Sequence, residues 1–422
     1  MTIVAILVSL VLLGMSLPVF LVFGIGSSMS AVLDLNLPWS TLIQVSFGAV
    51  TKNVLIAVPL FIFAGMVMLR GGIASRLVNM TIALVGHWPG GLGIGMVLTM
   101  GFFAAFCGSI LAAITAVGTI LMPKMIEQGY PKPFVIVLAA AAAFLEALIP
   151  PSNAAILYSA LTHVPVSQTF AAGVIPGLVL LLLLIILVVW RCWDIRNPVR
   201  ATGAEILLSI RAALPGLATP VIILGGIYAG LLTPSETAAV AGVWAILIGF
   251  FVHRELTIAG LMEALRHTAV ATAMIFSIIA MATFLSVVLT YTRTPQAIIT
   301  YFTDFGVTPL MFWFMVGVIC LILGTFLEII PVFYLTVPVF AAIALSLKLD
   351  LLNLYVIFTA FAGIGMLTPP VCVGVYTSAG VLNESPDQAF KEVPIFVLVG
   401  VIYGLLMIAF PAAATWLPSV LF

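Results

Sequence analysis

Long apolar stretches separated by short polar segments fill the chain from one end to the other. Within each stretch the apolar side chains are continuous instead of alternating, which favours membrane helices over the strands of a β-barrel. A full span needs about 17 residues or more, and several stretches are close to that limit. We predict apolar helices over residues 3–24, 54–69, 73–86, 91–107, 110–126, 134–160, 169–190, 214–231, 236–252, 268–290, 309–325, 330–346, 354–382 and 393–414.

Two pairs of these stretches are short and closely joined. Residues 91–107 pair with 110–126, and residues 309–325 pair with 330–346. Non-helical backbone at membrane depth is tolerated only inside protein or beside a water-filled cavity. We therefore predict two re-entrant helical hairpins, each with a small-residue turn and a later proline: Gly108-Ser109 with Pro123, and Gly324-Thr325 with Pro338.

Proline pairs interrupt two other apolar stretches, at Pro150-Pro151 and at Pro369-Pro370. Proline removes an amide donor and breaks a helix, and an unpaired backbone group in lipid costs several kcal/mol. Each interruption follows a predicted hairpin and precedes a further span, so the two halves of the chain repeat the same order. Paired broken helices are the sequence pointer to the binding site of a secondary transporter.

Composition and charge placement define the class and the orientation. Hydrophobic residues make up 64% of the 422 positions and charged residues 7%, which excludes a soluble domain and predicts an all-α polytopic membrane protein. If the polar segment Arg191–Arg211 lies in the cytoplasm, all of the Lys and Arg residues except Lys52, Arg293 and Lys348 lie on that side. The same assignment of sides gives the two repeats opposite orientations in the membrane. It also places the N-terminus in the cytoplasm and the C-terminus outside.

Four elements are expected to meet at mid-membrane: the two hairpin tips and the two breaks. Hard cations such as Na⁺ prefer a shell of oxygen ligands, and the N-termini of half-helices favour an anionic substrate. Such a site would suit a hard cation such as Na⁺ together with an anionic substrate. The candidate neutral oxygen ligands are Ser109, Ser152, Asn153, Thr325 and Thr368.

Glu146 and Glu328 are the carboxylates predicted to lie deep in the membrane, where an acid is functional by default. The alternative is an acid held protonated, or one that hydrogen-bonds a neighbouring broken helix. No arginine is predicted in this core, and no histidine is predicted as a ligand. The scattered cysteines predict neither a disulfide nor a transition-metal site, and the loop-confined charges give no reason to expect a nucleic-acid partner.

Motifs along the whole chain resemble one family, the large membrane subunit of tripartite ATP-independent periplasmic (TRAP) transporters. Two positions depart from the family pattern: Leu327-Glu328 replaces a usual Met-Asp, and Glu146 replaces a small residue. The hypothesis is that Glu146 supplies a negative ligand or a titratable group. The matching segments are Ala57–Gly65, Arg70–Ala74, Gly86–Gly91, Gly108-Ser109, Met122-Pro123, Ile149–Ser152, Ala172–Gly177, Thr233–Ala241 and Gly365–Val371.

The resemblance implies a Na⁺-coupled importer with an elevator-type mobile domain in a fixed scaffold. Scaffold segments would be 1–87 with an arm helix, 169–304 with the cytoplasmic loop 191–211 and an arm helix 253–267, and 393–422. The mobile domain would be 88–168 and 305–392. In the first part a hairpin 88–127 precedes a broken helix 134–160; in the second a hairpin 308–347 precedes a broken helix 354–382.

The resemblance also implies partners and sites. The partners would be a small four-helix membrane subunit and a periplasmic substrate-binding protein, in the lipid bilayer of the bacterial inner membrane. Substrates would be small carboxylates or sulfonates. The first sodium site would comprise Gly108, Ser109, Glu146, Ile149, Pro150 and Ser152. The second sodium site would comprise Gly324, Thr325, Gly363, Gly365, Met366 and Thr368. The substrate would contact Ser109, Asn153, Thr325, Glu328 and Pro369.

Three other functions remain to be compared with this one. Inverted hairpin repeats also occur in Na⁺/dicarboxylate symporters that need no binding protein. An intramembrane enzyme would need a nucleophile with a base or paired acids, and Ser109 has no histidine at helical spacing. An ion channel is disfavoured, because closed hairpins suit alternating access better than an open pore does.

Overall fold

A computed structural model describes residues 8–9, 11–12, 15, 17–196, 200–294, 296–297, 300 and 306–422, without the side chains of residues 106 and 107. Parts of the predicted span 3–24, of the loop 191–211 and of the scaffold segment ending at 304 lie outside these ranges. The described α-helices are α1 Val19–Leu33, α2 Trp39–Val50, α3 Ala57–Arg70, α4 Ile73–Val85, α5 Gly91–Cys107, α6 Ile110–Glu127, α7 Lys132–Ala143, α8 Asn153–Thr162, α9 Val166–Arg191, α10 Gly203–Tyr228, α11 Pro234–Leu247, α12 Ile258–Tyr291, α13 Pro309–Gly324, α14 Ile329–Ser346, α15 Leu351–Leu367, α16 Val373–Val381, α17 Val393–Ala409 and α18 Ala412–Leu421.

The all-helical class predicted from the sequence is confirmed, and the described ranges contain no strand. Within the described ranges, seven helices are long and apolar enough to cross a membrane. An eighth span results if α17 and α18, which meet at an angle of 56°, are counted as one. Apolar side chains also cover much of the outer surface of the chain, as a hydrocarbon environment requires.

The two interrupted helices form the centre of the molecule. Residues 134–143 of α7 and 352–367 of α15 are all buried. A helix that is apolar on every side belongs in a protein interior, and the alanines Ala139–Ala143 let neighbouring helices approach closely. Each central helix ends at a break, which is followed by the shorter helix α8 or α16.

The two interrupted helices run in opposite directions beside each other. The Tyr158 hydroxyl, in the second half of α8, donates to the Leu351 carbonyl at the start of α15, at 2.6 Å. At the other side of the molecule, Lys132 at the start of α7 pairs with Glu384, just beyond α16, at 2.5 Å. The halves also exchange contacts, because α8 packs against the second-hairpin helix α14 while α16 packs against the first-hairpin helix α6.

The remaining helices surround this centre. Helix α12 packs against α1, α2 and α3, while α11 packs on α3 and α10 on α4. Helix α9 packs against α5 and α18, and it covers the first break. The outer helices therefore hold the two hairpins and the interrupted helices from several sides.

Some element boundaries differ from the predictions. Residues 253–267 do not form a separate arm helix, since α12 begins at Ile258 and continues unbroken to Tyr291. The loop 191–211 is shorter than predicted, because a Thr202/Glu205 capping box starts α10 at Gly203. The last apolar stretch, 393–414, bends after Ala409 instead of forming one straight span.

The contact of α9 with the first break leads to a stability prediction. A Cβ on Gly173 would lie 2.1 Å from the Leu148 carbonyl oxygen, so Gly173→Ala is expected to push α9 off the break. Overpacking of this kind costs about 1–3 kcal/mol. Thermal unfolding of the purified complex should show a lower midpoint. Gly225→Ala on α10, where a Cβ meets nothing within 4 Å, is the control, and an equal midpoint for both variants would contradict the prediction.

Candidate functional site

The first hairpin turns at Gly108 and Ser109, and it is tied directly to the first break. Gly108 has φ of +56°, and a Cβ there would lie 2.4 Å from the Asn153 amide nitrogen, so the turn requires glycine. The Asn153 Nδ2 group donates to the Gly108 carbonyl at 2.6 Å. Ser109 caps α6 by accepting from the Ala112 amide at 3.5 Å. The side chain of the predicted tip residue Cys107 lies outside the described part.

The first break is a compact buried turn. After α7 a 3₁₀ turn covers Phe144–Ala147, and the chain then turns through Ile149 and the two prolines to α8. The Ala147 carbonyl accepts from the Ser152 hydroxyl at 3.1 Å and from the Tyr355 hydroxyl at 2.6 Å. Tyr355 belongs to α15, so the central helix of one half holds the break of the other half.

The second hairpin tip contacts the second break in a similar way. The Val371 amide donates to the Thr325 carbonyl at 3.2 Å. The Thr325 and Thr368 hydroxyls donate to carbonyls of their own helices, at 2.7 and 2.8 Å, which leaves oxygen lone pairs free to accept. Beside them, Gly324 and Gly365 meet so closely that a Cβ on Gly365 would lie 2.7 Å from the Gly324 Cα.

The two breaks differ in exposure. Pro150, Pro151 and Ser152 are buried, whereas Pro369, Pro370 and Val371 are exposed. The predicted sodium-site residue Gly363 faces the Phe144 ring from the first half, at a spacing that leaves no room for a side chain.

A cavity of about 340 Å³ lies between the first hairpin tip, the second hairpin tip and α12. Of the predicted site residues it brings together Gly108, Ser109, Glu146, Asn153, Glu328 and Met366. The others lie outside its lining: Ile149, Pro150, Ser152, Gly324, Thr325, Gly363, Gly365, Thr368 and Pro369. The predicted residues therefore divide between this cavity and the tip–break junctions beside it.

Three helices begin at the cavity, and one long helix forms the opposite wall. The first turns of α6, α8 and α14 line it with Ile110, Asn153 and Ile329 among others. Unpaired amides at such N-termini create a partial positive charge. The α12 wall, which sequence reasoning missed, comprises His267, Val270, Ala271, Met274, Ile275 and Ile278. No local sequence signal marks these residues, because the wall depends on a long-range packing contact.

Polar groups at the cavity retain free acceptors. Asn153 is buried, and its Oδ1 atom has no hydrogen-bond partner among the described residues. Glu146 is only 5% exposed, and no hydrogen bond or ion pair joins its carboxyl to another part of the described chain. Glu328 caps α14 with its backbone alone, and its side chain is accessible from the cavity. These groups are available to a bound ion or substrate.

Interrupted helices that meet around a mid-protein cavity define a membrane transporter. A solved structure with a similar fold is the YdaH transporter of Alcanivorax borkumensis, with a TM-score of 0.57 and 16% identity, covering 97% of this chain and 98% of that one. The family model of the DctM component of tripartite ATP-independent periplasmic transporters matches residues 4–413. The chain belongs to this family.

Characterised relatives agree with this assignment. The chain is 36% identical over 367 residues to the C4-dicarboxylate TRAP transporter large permease protein DctM of Pseudomonas aeruginosa, covering 86% of each chain. It is 32% identical over 386 residues to the ectoine/5-hydroxyectoine TRAP transporter large permease protein UehC of Ruegeria pomeroyi, covering 90% of each. The family resemblance predicted from the sequence is confirmed. Since the relatives are transporter permeases, the enzyme alternative is excluded.

Proposed function

We propose that this chain is the translocating subunit of a Na⁺-coupled importer for a small organic anion. A periplasmic binding protein would deliver the substrate, and a small four-helix membrane subunit would complete the complex in the bacterial inner membrane. The observation that carries the proposal is the cavity at which α6, α8 and α14 begin, since their N-termini converge on one small volume. Relatives named for C4-dicarboxylate, ectoine and isethionate support a small organic acid as the substrate class.

Two sodium sites are proposed at the junctions between each tip and its break. The Asn153–Gly108 bond ties the first tip to its break, and the Val371–Thr325 bond ties the second. Carbonyl and hydroxyl oxygens meet at both junctions, and oxygen donors of this kind suit a hard cation. The proposed ligand sets are those predicted from the sequence, in which Glu146 belongs to the first site and Thr325 and Thr368 belong to the second.

Alternating access by an elevator movement is proposed for the two hairpins and the two interrupted helices. The opposite directions of the interrupted helices, and the exchange of contacts between α8 with α14 and α16 with α6, support an inverted repeat. The cavity lies between this unit and α12, a helix of the surrounding frame. A substrate there would cross the membrane when the unit slides along α12.

The proposed orientation puts the N-terminus in the cytoplasm and the C-terminus in the periplasm. Four ion pairs support this orientation, because both partners of each pair lie on the side predicted to be cytoplasmic. The pairs are Arg70–Glu263, Arg76–Glu255, Lys132–Glu384 and Arg191–Glu392. Lys52, predicted to be outside, donates instead to the Ala160 carbonyl near the end of α8. This distribution fits the excess of cations on cytoplasmic surfaces.

The test is uptake into proteoliposomes that contain this chain and its small subunit. An inward Na⁺ gradient and the cognate periplasmic protein are varied independently, with a K⁺ gradient as the ionic control. We expect uptake only when both are present. Uptake with Na⁺ but without the soluble protein would favour the self-sufficient symporter instead. Uptake that follows a pH gradient and ignores Na⁺ would contradict sodium coupling.

A further inference from the structure

The cavity between the two hairpin tips is acidic. Glu146 comes from the first break and Glu328 from the second tip, so two distant segments bring carboxyl groups to one volume of about 340 Å³. Its lining contains no lysine or arginine, and His267 on α12 supplies the basic side chain that faces it. A second carboxylate on a ligand would lie beside these carboxyl groups with no lysine or arginine in the lining to pair with it, which disfavours binding.

Three side chains at this cavity, Asn153, Glu146 and Glu328, offer free acceptor atoms. Asn153 is 4% exposed, and its Nδ2 group is fixed by the Gly108 carbonyl, which can only accept. The unpartnered atom is therefore the Oδ1 oxygen. Neither Glu146 nor Glu328 has a donor among the described residues. A buried acceptor without a partner is costly, and a bound ligand with N–H donors would satisfy the Asn153 Oδ1 atom. The same donors could also reach the carboxyl groups of buried Glu146 and of the more exposed Glu328.

The same cavity also contains partial positive charge, at the N-termini of three helices. The helices α6 and α14 contain 18 residues each, α8 contains 10, and all three begin at the lining. Their free backbone amides favour a carboxylate. The cavity thus presents an anion-binding side and a cation-binding side to one small molecule.

We propose that the substrate is a small zwitterion, a carboxylate that also carries a positively charged nitrogen group such as an ammonium, amidinium or guanidinium. The carboxylate would lie at the helix N-termini, and the nitrogen group would donate to Glu328, to the Asn153 Oδ1 atom and to one oxygen of Glu146, whose other oxygen would serve the first sodium site. The inference rests on the proposed transport function and refines its substrate class. The apolar wall of α12, with Met274 and Ile278, would cover the linking carbons.

The test compares ligands that differ at one end only. Butyrate, succinate and γ-aminobutyrate share a carbon chain, and 3-guanidinopropionate adds a broader cation. Binding to the purified complex of this chain and its small subunit is measured in Na⁺ by ligand-dependent thermal stabilisation. We expect γ-aminobutyrate or 3-guanidinopropionate to bind about tenfold or more tightly than succinate and butyrate, because only these two can pair with the acids.

Variants separate the role of the acids from that of bound sodium. Glu146→Gln and Glu328→Gln should each reduce the preference for the nitrogen probes about tenfold, while Glu127→Gln at the far, exposed end of α6 should leave it unchanged. The inference is overturned if succinate binds as tightly as the nitrogen probes, if no probe binds, or if both Gln variants alter only the Na⁺ dependence. Sodium-driven, binding-protein-dependent uptake of succinate would overturn it while upholding the proposed function.

Discussion

Replacing Asn153 with alanine is expected to reduce Na⁺-driven uptake about tenfold or more. The side chain is the direct link between the first tip and the first break, and it lines the cavity as well. Its loss leaves the Gly108 carbonyl without its donor, and an unsatisfied buried group costs about 1–3 kcal/mol. Asn153→Asp should be at least as harmful, because a carboxylate would face that carbonyl with no donor between them.

Uptake into proteoliposomes measures this effect, with a Na⁺ titration for each variant. The expected signature is a higher Na⁺ concentration for half-maximal uptake, since the tip and the break would separate at the first sodium site. Asn79→Ala, on the exposed face of α4, is the matched control and should behave as the wild type does. An unchanged Na⁺ dependence in Asn153→Ala would separate this bond from ion coupling.

The second prediction concerns the junction of the second tip with its central helix. A Cβ on Gly365 would lie 2.5 Å from the Leu321 carbonyl oxygen and 2.7 Å from the Gly324 Cα, and all of these are backbone atoms. They can move only if α13 separates from α15. We expect Gly365→Ala to destabilise the protein by about 1–3 kcal/mol and to abolish uptake, because the shift displaces the Thr325 carbonyl from the Val371 amide.

A matched glycine makes this prediction specific. Gly380 lies on α16, and a Cβ there meets nothing within 4 Å. Gly380→Ala should be neutral or stabilising by about 0.5–1 kcal/mol, since alanine favours a helix more than glycine does. Thermal unfolding and uptake are measured for both variants. If Gly365→Ala and Gly380→Ala have the same unfolding midpoint and the same uptake, the close α13–α15 contact contributes to neither stability nor transport.

The positions of the helix interruptions could be predicted from the sequence because their cause is local. A Pro-Pro pair removes backbone donors wherever it stands, and Gly108-Ser109 permits a sharp turn by itself. The pairing of each tip with its own break followed from the family resemblance, which implied a sodium site at each junction. The hydrogen bonds that join each tip to its break could not be predicted from the sequence. The Asn153 side chain makes the bond at the first junction, and the Val371 backbone amide makes it at the second.

The separate arm helix predicted over residues 253–267 was wrong for a different physical reason, which is charge compensation between distant segments. Residues 253–267 contain enough charged side chains to resemble a separate surface helix. In the structure Glu255 pairs with Arg76 and Glu263 with Arg70, so part of that polarity is neutralised by the ends of α3 and α4. Helix α12 can therefore run on through this segment, and its packing against the second-hairpin helix α14 creates the wall that contains His267.

The central claim, that the cavity is an alternating-access site, is tested most directly by the sidedness of Thr115, which lines it. Thr115→Cys is made in a chain whose own cysteines, Cys107, Cys192, Cys320 and Cys372, are replaced by alanine. A membrane-impermeant maleimide is applied to either side of oriented vesicles, with and without Na⁺ and transported substrate. We expect labelling from one side at a time, with the favoured side changing when Na⁺ and substrate are added. Labelling from both sides at once, or from one side under every condition, would contradict the account.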